Sequence, residues 1–361
     1  MHREGLVLMA KRLRWFYLGW IAPLVRLARD AFDILRWTVR PFEVLKALGP
    51  SKWLRRIVLN QPGVQPNAVI DPARLVHDMV VLQHLLESRA VIDGRVDYRA
   101  LGESDEFNAL VRRAADLAEV RPEAFSSDAE RTAFWINLYN VLCMHGIVAL
   151  GLRSSAMELP TFFARVAYRI GSWTFTPDDM LNGVLRRGRR RPGGASPQFS
   201  ADDPRMAFSP ALVDPRIHGA VVCVAASCPP VKFYSAEHLD HQLDLATRNL
   251  LDATVRANVT RRRIELPLQF HYYAADFGRP LQMREFVLQY LSPERRDQLQ
   301  QAFDESWPIR FQRYDWALNH PTPSSKELSP CRRPSRLSLR RLKKCCSSGS
   351  VPCRDVGCEA D

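Results

Sequence analysis

Apolar residues recur at helical spacing through much of this chain. In "DPARLVHDMVVLQHLLESRA" Leu75, Met79, Leu82 and Leu86 fall on one face, and "DEFNALVRRAADLAEV" repeats the pattern before the breaker "RPEAFSSD". The stretch "SSDAERTAFWINLYNVLCMHGIVALG" (126–151) differs in being apolar almost all round. Ser127 or Asp128 can cap it, Glu130 lies in its first turn and Gly151 can end it, which predicts a helix over 128–150 buried at the centre of a domain.

Period-two alternation is confined to shorter runs. "YRIGSWTFTPDDM" (168–180) alternates around a glycine like a strand or hairpin, and "VIDGRVDYRAL" carries an Asp-Gly turn. "IHGAVVCVA" and "RRRIELPLQF" read as the best strands, with "SAEHLDHQLDLATRNLLDAT" between them as an amphipathic helix that Ser235 can cap. Strand 217–225, helix 236–253 and strand 262–268 in that order predict a crossover unit with two parallel, adjacent strands. The fold class expected is α+β: a helix-rich single domain around a small mixed sheet, with the 128–150 helix central and buried.

The two ends of the chain are patterned differently. Residues 6 to 58 read as basic amphipathic helices broken around Pro23, Pro41 and Pro50, and "LNQPGVQPN" (59–67) has linker punctuation. The organisation expected is therefore N-terminal helices over 1–60, a globular domain over 61–320, and a disordered, basic tail rich in Cys, Ser and Pro over 321–361.

Composition changes this picture in two places. The 361 residues are 46% apolar and 25% charged, as in ordinary globular proteins, but the formal charge is +12. Arginine clusters such as "RRGRRRPGG" carry much of it, and no helix-turn-helix, zinc-finger, RRM or KH signature accompanies them, so nucleic acid is not the expected partner. An unidentified protein partner is expected, together with an anionic membrane surface met by residues 1–58. The apolar run from Trp15 to Val25 falls short of the about 20 residues a bilayer span needs, while Trp15, Tyr17 and Trp20 suit an interfacial helix. A helix packed on the main domain and an organelle-targeting segment are the competing readings. Of the eight cysteines, Cys143, Cys223 and Cys228 lie in the globular region and five crowd the tail, which fits a reducing, intracellular compartment. Cys345 and Cys346 beside lysines resemble an acylation site.

Candidate chemistry sits where polar groups interrupt apolar surroundings. Asn137, Asn140 and His145 share one half of the central helix at about 100° per residue, and each needs a partner. Tying the helix to loop backbone is the reading favoured for Asn137. In "HGAVVCVAASCPPVKFYS" (218–235), Cys228 and His218 invite pairing, but a straight strand between them holds them about 20 Å apart or more. Either the run is bent, or each residue has another partner. A crossover unit would instead bring Cys228 beside "QFHYYAADFG", with His271 and Asp276 as neighbours. Cys223 is expected to point into the core. The spacing of Cys223 and Cys228 does not meet zinc requirements, and no P-loop, Rossmann fingerprint, GxSxG elbow or HExxH helix occurs, so neither metal nor cofactor is expected.

Taken together, "AFWINLYNVLCMHG", "DPRIHGAVVCVAASCPPVKFYSAEHLDHQLDLATRNLL", "IELPLQFHYYAADFG" and "RYDWALNH" resemble the domain of unknown function 547 family, over roughly Asp71 to Asn319. That family has no settled activity; its members are sometimes fused to glutaredoxin-like, DEP-like or coiled-coil segments. The resemblance implies motif positions at Asn137, Asn140, His218, Cys228 and Asp276. His271 stands where the pattern often has lysine, and Val224 stands where a glycine is usual, which implies a stiffer turn ahead of Cys228.

Three functions follow from these readings. The first is an interaction or scaffold module held at a membrane surface, with the polar residues bracing the fold. The second is a thiol hydrolase or acyltransferase with Cys228 as nucleophile, His218, His145 or His271 as base, and Asn140 orienting the base or stabilising an oxyanion. The third is thiol-disulfide chemistry, for which no CxxC motif is present.

Overall fold

The computed structural model describes residues 55–60, 78, 81 and 90–321. Residues 1–54 of the amphipathic helices expected over 1–60, most of the helix bearing Leu75 to Leu86, and the tail from 322 lie outside the described residues. In chain order, Ile57–Val58 form β1, and Val91–Ile92 (β2) and Arg95–Val96 (β3) form a hairpin. The Asp93-Gly94 turn between them has φ of 49° and 74°, a pairing suited to a tight hairpin, and Gly94 abuts Pro230. Helices α1 (Tyr98–Glu103) and α2 (Asp105–Arg113) follow, capped by Asp97 and Ser104. Then come α3 (Asp128–Leu150), β4 (Val166–Ile170) and β5 (Trp173–Phe175). The last part contains α4 (Leu239–Thr254), β6 (Arg256–Asn258), β7 (Arg263–Leu266), α5 (Pro280–Tyr290), α6 (Pro293–Asp304) and β8 (Ile309–Phe311). Two small mixed sheets, β1-β4-β5 and β6-β7-β8, and the β2-β3 hairpin accompany the helices, so the chain is a helix-rich α+β protein.

The central helix forms where its sequence places it. Ser127 Oγ accepts the Glu130 N–H at 3.1 Å, Glu130 answers by accepting the Ser126 N–H, and Gly151 closes the helix at φ 61°. Every residue from Thr132 to Ile147 is buried. Length and hydropathy alone would let this helix cross a bilayer, but 83% of its most apolar window is covered by the protein itself. Trp135, fully buried, packs against Phe134, Phe175 and Phe208.

The strand expected over 217–225 does not form. Pro215–Gly219 is a short 3₁₀ helix, and the chain runs on irregularly to one isolated bridge between Ala225 and Leu318. Two local facts explain this. Gly219 packs so closely on α4 that a Cβ there would lie 3.2 Å from the Ala246 backbone. Asn140 then takes the ladder groups: its Oδ1 accepts the Val222 N–H at 2.7 Å and its Nδ2 donates to the Ala220 carbonyl at 3.1 Å. The crossover unit is therefore absent, and β7 pairs with β6 (antiparallel) and β8 (parallel). Helix α4 begins at Leu239, and Ser235 does not cap it; the Ser235 N–H is held instead by Gln242 Oε1 at 2.9 Å. At the other end, Val58 and Asn60 belong to the fold, since Asn60 Nδ2 donates to the Ala114 and Arg169 carbonyls at 2.8 Å each.

Two apolar cores result, one around α3 and one between the end of α4, β7, α5 and α6. A buried ionic cluster joins them. Asp276, beside the second core, accepts from Arg186 (2.5 and 3.0 Å), from Arg189 (2.6 Å) and from His218 Nε2 (2.7 Å). The side chains of Asp276, His218 and Arg186 are 0%, 2% and 3% exposed. Tyr273 stacks on the His218 ring at 4.3 Å, and Arg186 lies over the Tyr273 ring at 4.7 Å. Burial alone would raise the Asp276 carboxyl, but the hydrogen bonds from His218 and Arg186 and the Arg186 charge hold it well below the usual carboxylate range. Burial lowers the His218 imidazole more than Asp276 raises it, so the ring is neutral and Nε2–H donates. Its other nitrogen, Nδ1, is then a bare acceptor and lacks a partner among the described residues. Replacing Asp276 by Asn keeps the shape but leaves Arg186 as a buried, uncompensated charge. Urea unfolding of Asp276→Asn should show a loss of about 3 to 5 kcal/mol; a loss below about 1 kcal/mol would show that the cluster does not hold the cores together.

Candidate functional site

Cys223 and Cys228 meet at one end of the irregular loop. Their sulfurs are 3.1 Å apart, both thiols are free, and neither side chain is fully buried. Cys223 packs against the first core, as its apolar setting suggests, and its sulfur also meets that of Cys228. The Cys223 N–H donates to Cys228 Sγ at 3.2 Å, and the Tyr314 hydroxyl lies 3.1 Å from one sulfur and 3.2 Å from the other.

The loop is clamped from both sides. From α3, Asn140 holds Ala220 and Val222, while Asn137 brackets Tyr234 by donating to its carbonyl at 2.7 Å and accepting its N–H at 2.9 Å. From the other side comes the segment 312–320. The Ala226 N–H donates to the Ala317 carbonyl at 2.6 Å, and the Asn319 N–H donates to the Val224 carbonyl at 2.9 Å. Ser227 Oγ accepts the Asp315 N–H at 2.8 Å. Arg95 donates to the Ala226 carbonyl at 2.9 Å.

Val224 makes the turn that brings the sulfurs together. Its φ is 63°, a left-handed value that a β-branched residue rarely adopts, and its side chain is 1% exposed. This is the position where the family resemblance leads one to expect glycine. The strain, of order 1 to 3 kcal/mol, is sustained by the clamp on either side.

The thiols differ in acidity. Burial opposes ionisation of Cys228, yet the hydrogen bonds from the Cys223 thiol, the Tyr314 hydroxyl and backbone N–H groups outweigh it and hold Cys228 below the ordinary thiol value. Cys223, bonded to Cys228 and partly desolvated, is pushed well above that value. Of the two, Cys228 is the more acidic thiol and the first to ionise.

Cys228 lines a cleft of about 330 Å³, whose wall also includes Arg95, Pro230, Gln269, Arg313 and Asn319. The Asn319 Oδ1 accepts from Tyr98 at 2.5 Å, and its Nδ2 lacks a partner among the described residues.

The other residues singled out from the sequence are not drawn to this sulfur. His218 is spent on Asp276, so the looped run has not created a His218–Cys228 dyad. His145 Nδ1 meets the Tyr168 hydroxyl at 2.8 Å inside the first core, beside the edge of Phe107. His271 is exposed on the single turn Gln269–Tyr272, with its ring 5.0 Å from Phe311, and does not line the cleft. Asn140, expected to orient a base or an oxyanion, has both ends of its amide engaged by loop backbone. Among the described residues no group of three potential metal ligands gathers. Sequence reasoning missed Cys223 and Tyr314. The signal for Cys223 was its spacing from Cys228 across a position suited to glycine; that for Tyr314 was its place in "RYDWALNH".

Fold and site thus define a helix-rich α+β domain with a paired thiol on a cleft wall. Residues 122–251 match the family described as protein of unknown function, DUF547, the same resemblance that the sequence motifs carry. The matched stretch holds Asn137, Asn140, His145, His218, Cys223 and Cys228, and stops short of Asp276 and Tyr314. No curated protein and no solved structure is matched.

Two measurements check this geometry. Alanine is ordinarily less disruptive than glycine, but at Val224 both lose the buried side chain and only glycine relieves the backbone. Val224→Gly should be more stable than Val224→Ala by about 1 kcal/mol in urea unfolding, and the ordinary order would mean that the turn is unstrained. Burial lowers the His145 pKa to about 4. The unfolded chain, titrating near about 6.5, takes up a proton that the fold refuses, so stability falls as pH drops from about 6.5 to about 4, by up to about 3 kcal/mol. Ring chemical shifts of His145 followed through that range test the assignment, and a midpoint near 6.5 would contradict it.

Proposed function

We propose that this domain is a dithiol-disulfide module in which Cys228 is the attacking thiolate and Cys223 the resolving thiol. The observation that carries the reading is the 3.1 Å separation of two free sulfurs of unequal acidity on the wall of a cleft. The Cys228 thiolate attacks one sulfur of a disulfide R–S–S–R, forms a mixed disulfide and releases R–S⁻. Cys223 then loses its proton, and its sulfur attacks that of Cys228, expelling the second R–S⁻. The substrate disulfide gains two electrons and two protons, and the protein is left with a Cys223–Cys228 disulfide. Tyr314 contributes a hydroxyl that stabilises charge on either sulfur.

Hydrolysis or acyl transfer at Cys228 is supported less well, because His218 and His145 are committed elsewhere and the neighbour of the sulfur is a second thiol. The scaffold reading leans on the N-terminal helices and the tail, nearly all of which lie outside the described residues. Resting reduced in a reducing compartment accords with the cysteine usage.

The test uses the full chain, reduced and then exposed to hydroxyethyl disulfide, with each cysteine followed by peptide mass mapping. A Cys223–Cys228 cross-link should dominate in the unmodified protein. Cys223→Ser should stop at a mixed disulfide on Cys228, whereas Cys228→Ser should leave Cys223 unmodified over the same time. The proposal is overturned if Cys228 reacts no faster than the tail cysteines, or if no cross-link forms.

A further inference from the structure

The thiol pair leaves open which disulfide it meets, and the cleft wall carries guanidinium charge that no described carboxylate pairs with. Arg95 and Arg313 both line the cleft beside Cys228. Arg95 spends one N–H on the Ala226 carbonyl, which fixes its direction and leaves its charge intact. No described carboxylate forms an ion pair with either guanidinium, in contrast to Arg186, Arg189, Arg191, Arg205 and Arg216, each of which has an acidic partner. Asp93 is the single acidic residue of the lining, so cationic groups predominate there. A planar guanidinium with free donors is the side chain best matched to a carboxylate.

We propose that the cleft selects a small disulfide bearing a carboxylate, with Arg313 and Arg95 holding the carboxylate while Cys228 attacks the sulfur. This rests on the dithiol reading above and adds its substrate class. A volume of about 330 Å³ suits a small molecule. The anionic end has a further use: seated on the arginines, it offsets the repulsion that the Cys228 thiolate exerts on a negatively charged reactant.

Three symmetric disulfides differing in charge separate the outcomes: dithiodipropionate (anionic), hydroxyethyl disulfide (neutral) and cystamine (cationic). Each is reacted with full-length Cys223→Ser, mixed-disulfide formation at Cys228 is followed by peptide mass mapping, and every rate is divided by that of N-acetylcysteine with the same probe. The normalised rate for dithiodipropionate should exceed that for cystamine by about tenfold, with hydroxyethyl disulfide between them. The ratio should fall toward one in Arg313→Gln, whose side chain is exposed and whose loss leaves the core untouched, and also at high ionic strength. Arg95→Gln should act in the same direction. Equal normalised rates for the three probes, or a ratio unmoved by Arg313→Gln, would overturn the charge selection and leave the dithiol reading standing. Modification of Cys228 by none of the three would overturn the dithiol reading itself.

Discussion

The carboxylate of Asp276 is the constraint on which the rest of this domain depends. It lies just after the second core's β7 and finds its partners, Arg186, Arg189 and His218, on the first core's side. Taking a carboxylate and a guanidinium out of water is unfavourable by several kcal/mol per ion, so such a cluster is tolerated only when its hydrogen bonds are nearly complete. Here Arg186 also reaches Asn182 and the Arg190 carbonyl, while Asp276 receives four donors. What the cluster supplies is registry. It fixes where His218 sits, and the loop that leads to both cysteines begins at the next residue.

From there the chain is held by side chains where a sheet would use main chain. Asn137 and Asn140 project from a helix that is otherwise apolar and present amide groups as a strand edge would, taking up loop N–H and C=O groups in pairs. The segment 312–320 does the same from the opposite side with its own backbone. A loop so fully satisfied can retain an unfavourable backbone value at Val224, and that value folds the chain tightly enough for Cys223 and Cys228 to touch. Preorganisation and strain are thus two aspects of one arrangement.

Much of this was legible in the sequence, and the limits of that legibility are physical. The central helix was readable to the residue because its signals are local: a serine cap, a glycine stop and a sequence apolar almost all round between them. The two hairpins were readable for the same reason. The strand over 217–225 was not, because "AVVCVA" has strand composition while its ladder groups are claimed by Asn140, a residue some 80 positions earlier. That one long-range contact also removed the parallel neighbours through which His271 was to approach Cys228. The burden of Asn137 was anticipated correctly, since a buried amide has to find backbone. The thiol pair was half legible: the departure at Val224 was noted as a stiffening of the turn, but what a left-handed residue there does to the sulfurs on either side depends on geometry that composition does not carry.

The groups that make Cys228 the more acidic thiol bear on its chemistry. In a cysteine hydrolase the proton leaves the thiol for a base that later returns it to a departing amine or alkoxide, groups too basic to leave unprotonated. Here the neighbours of the Cys228 sulfur are a thiol, a phenol and a peptide N–H, and hydrogen bonding from them is what lowers its pKa. No histidine is among those contacts to take the thiol proton and return it to a leaving group. Disulfide exchange does not need one, because its leaving group is itself a thiolate, stable near neutral pH. On the proposed reading, an acidic thiol beside a second, less acidic one suffices for exchange, and His218 can stay neutral and buried on Asp276, away from the sulfur.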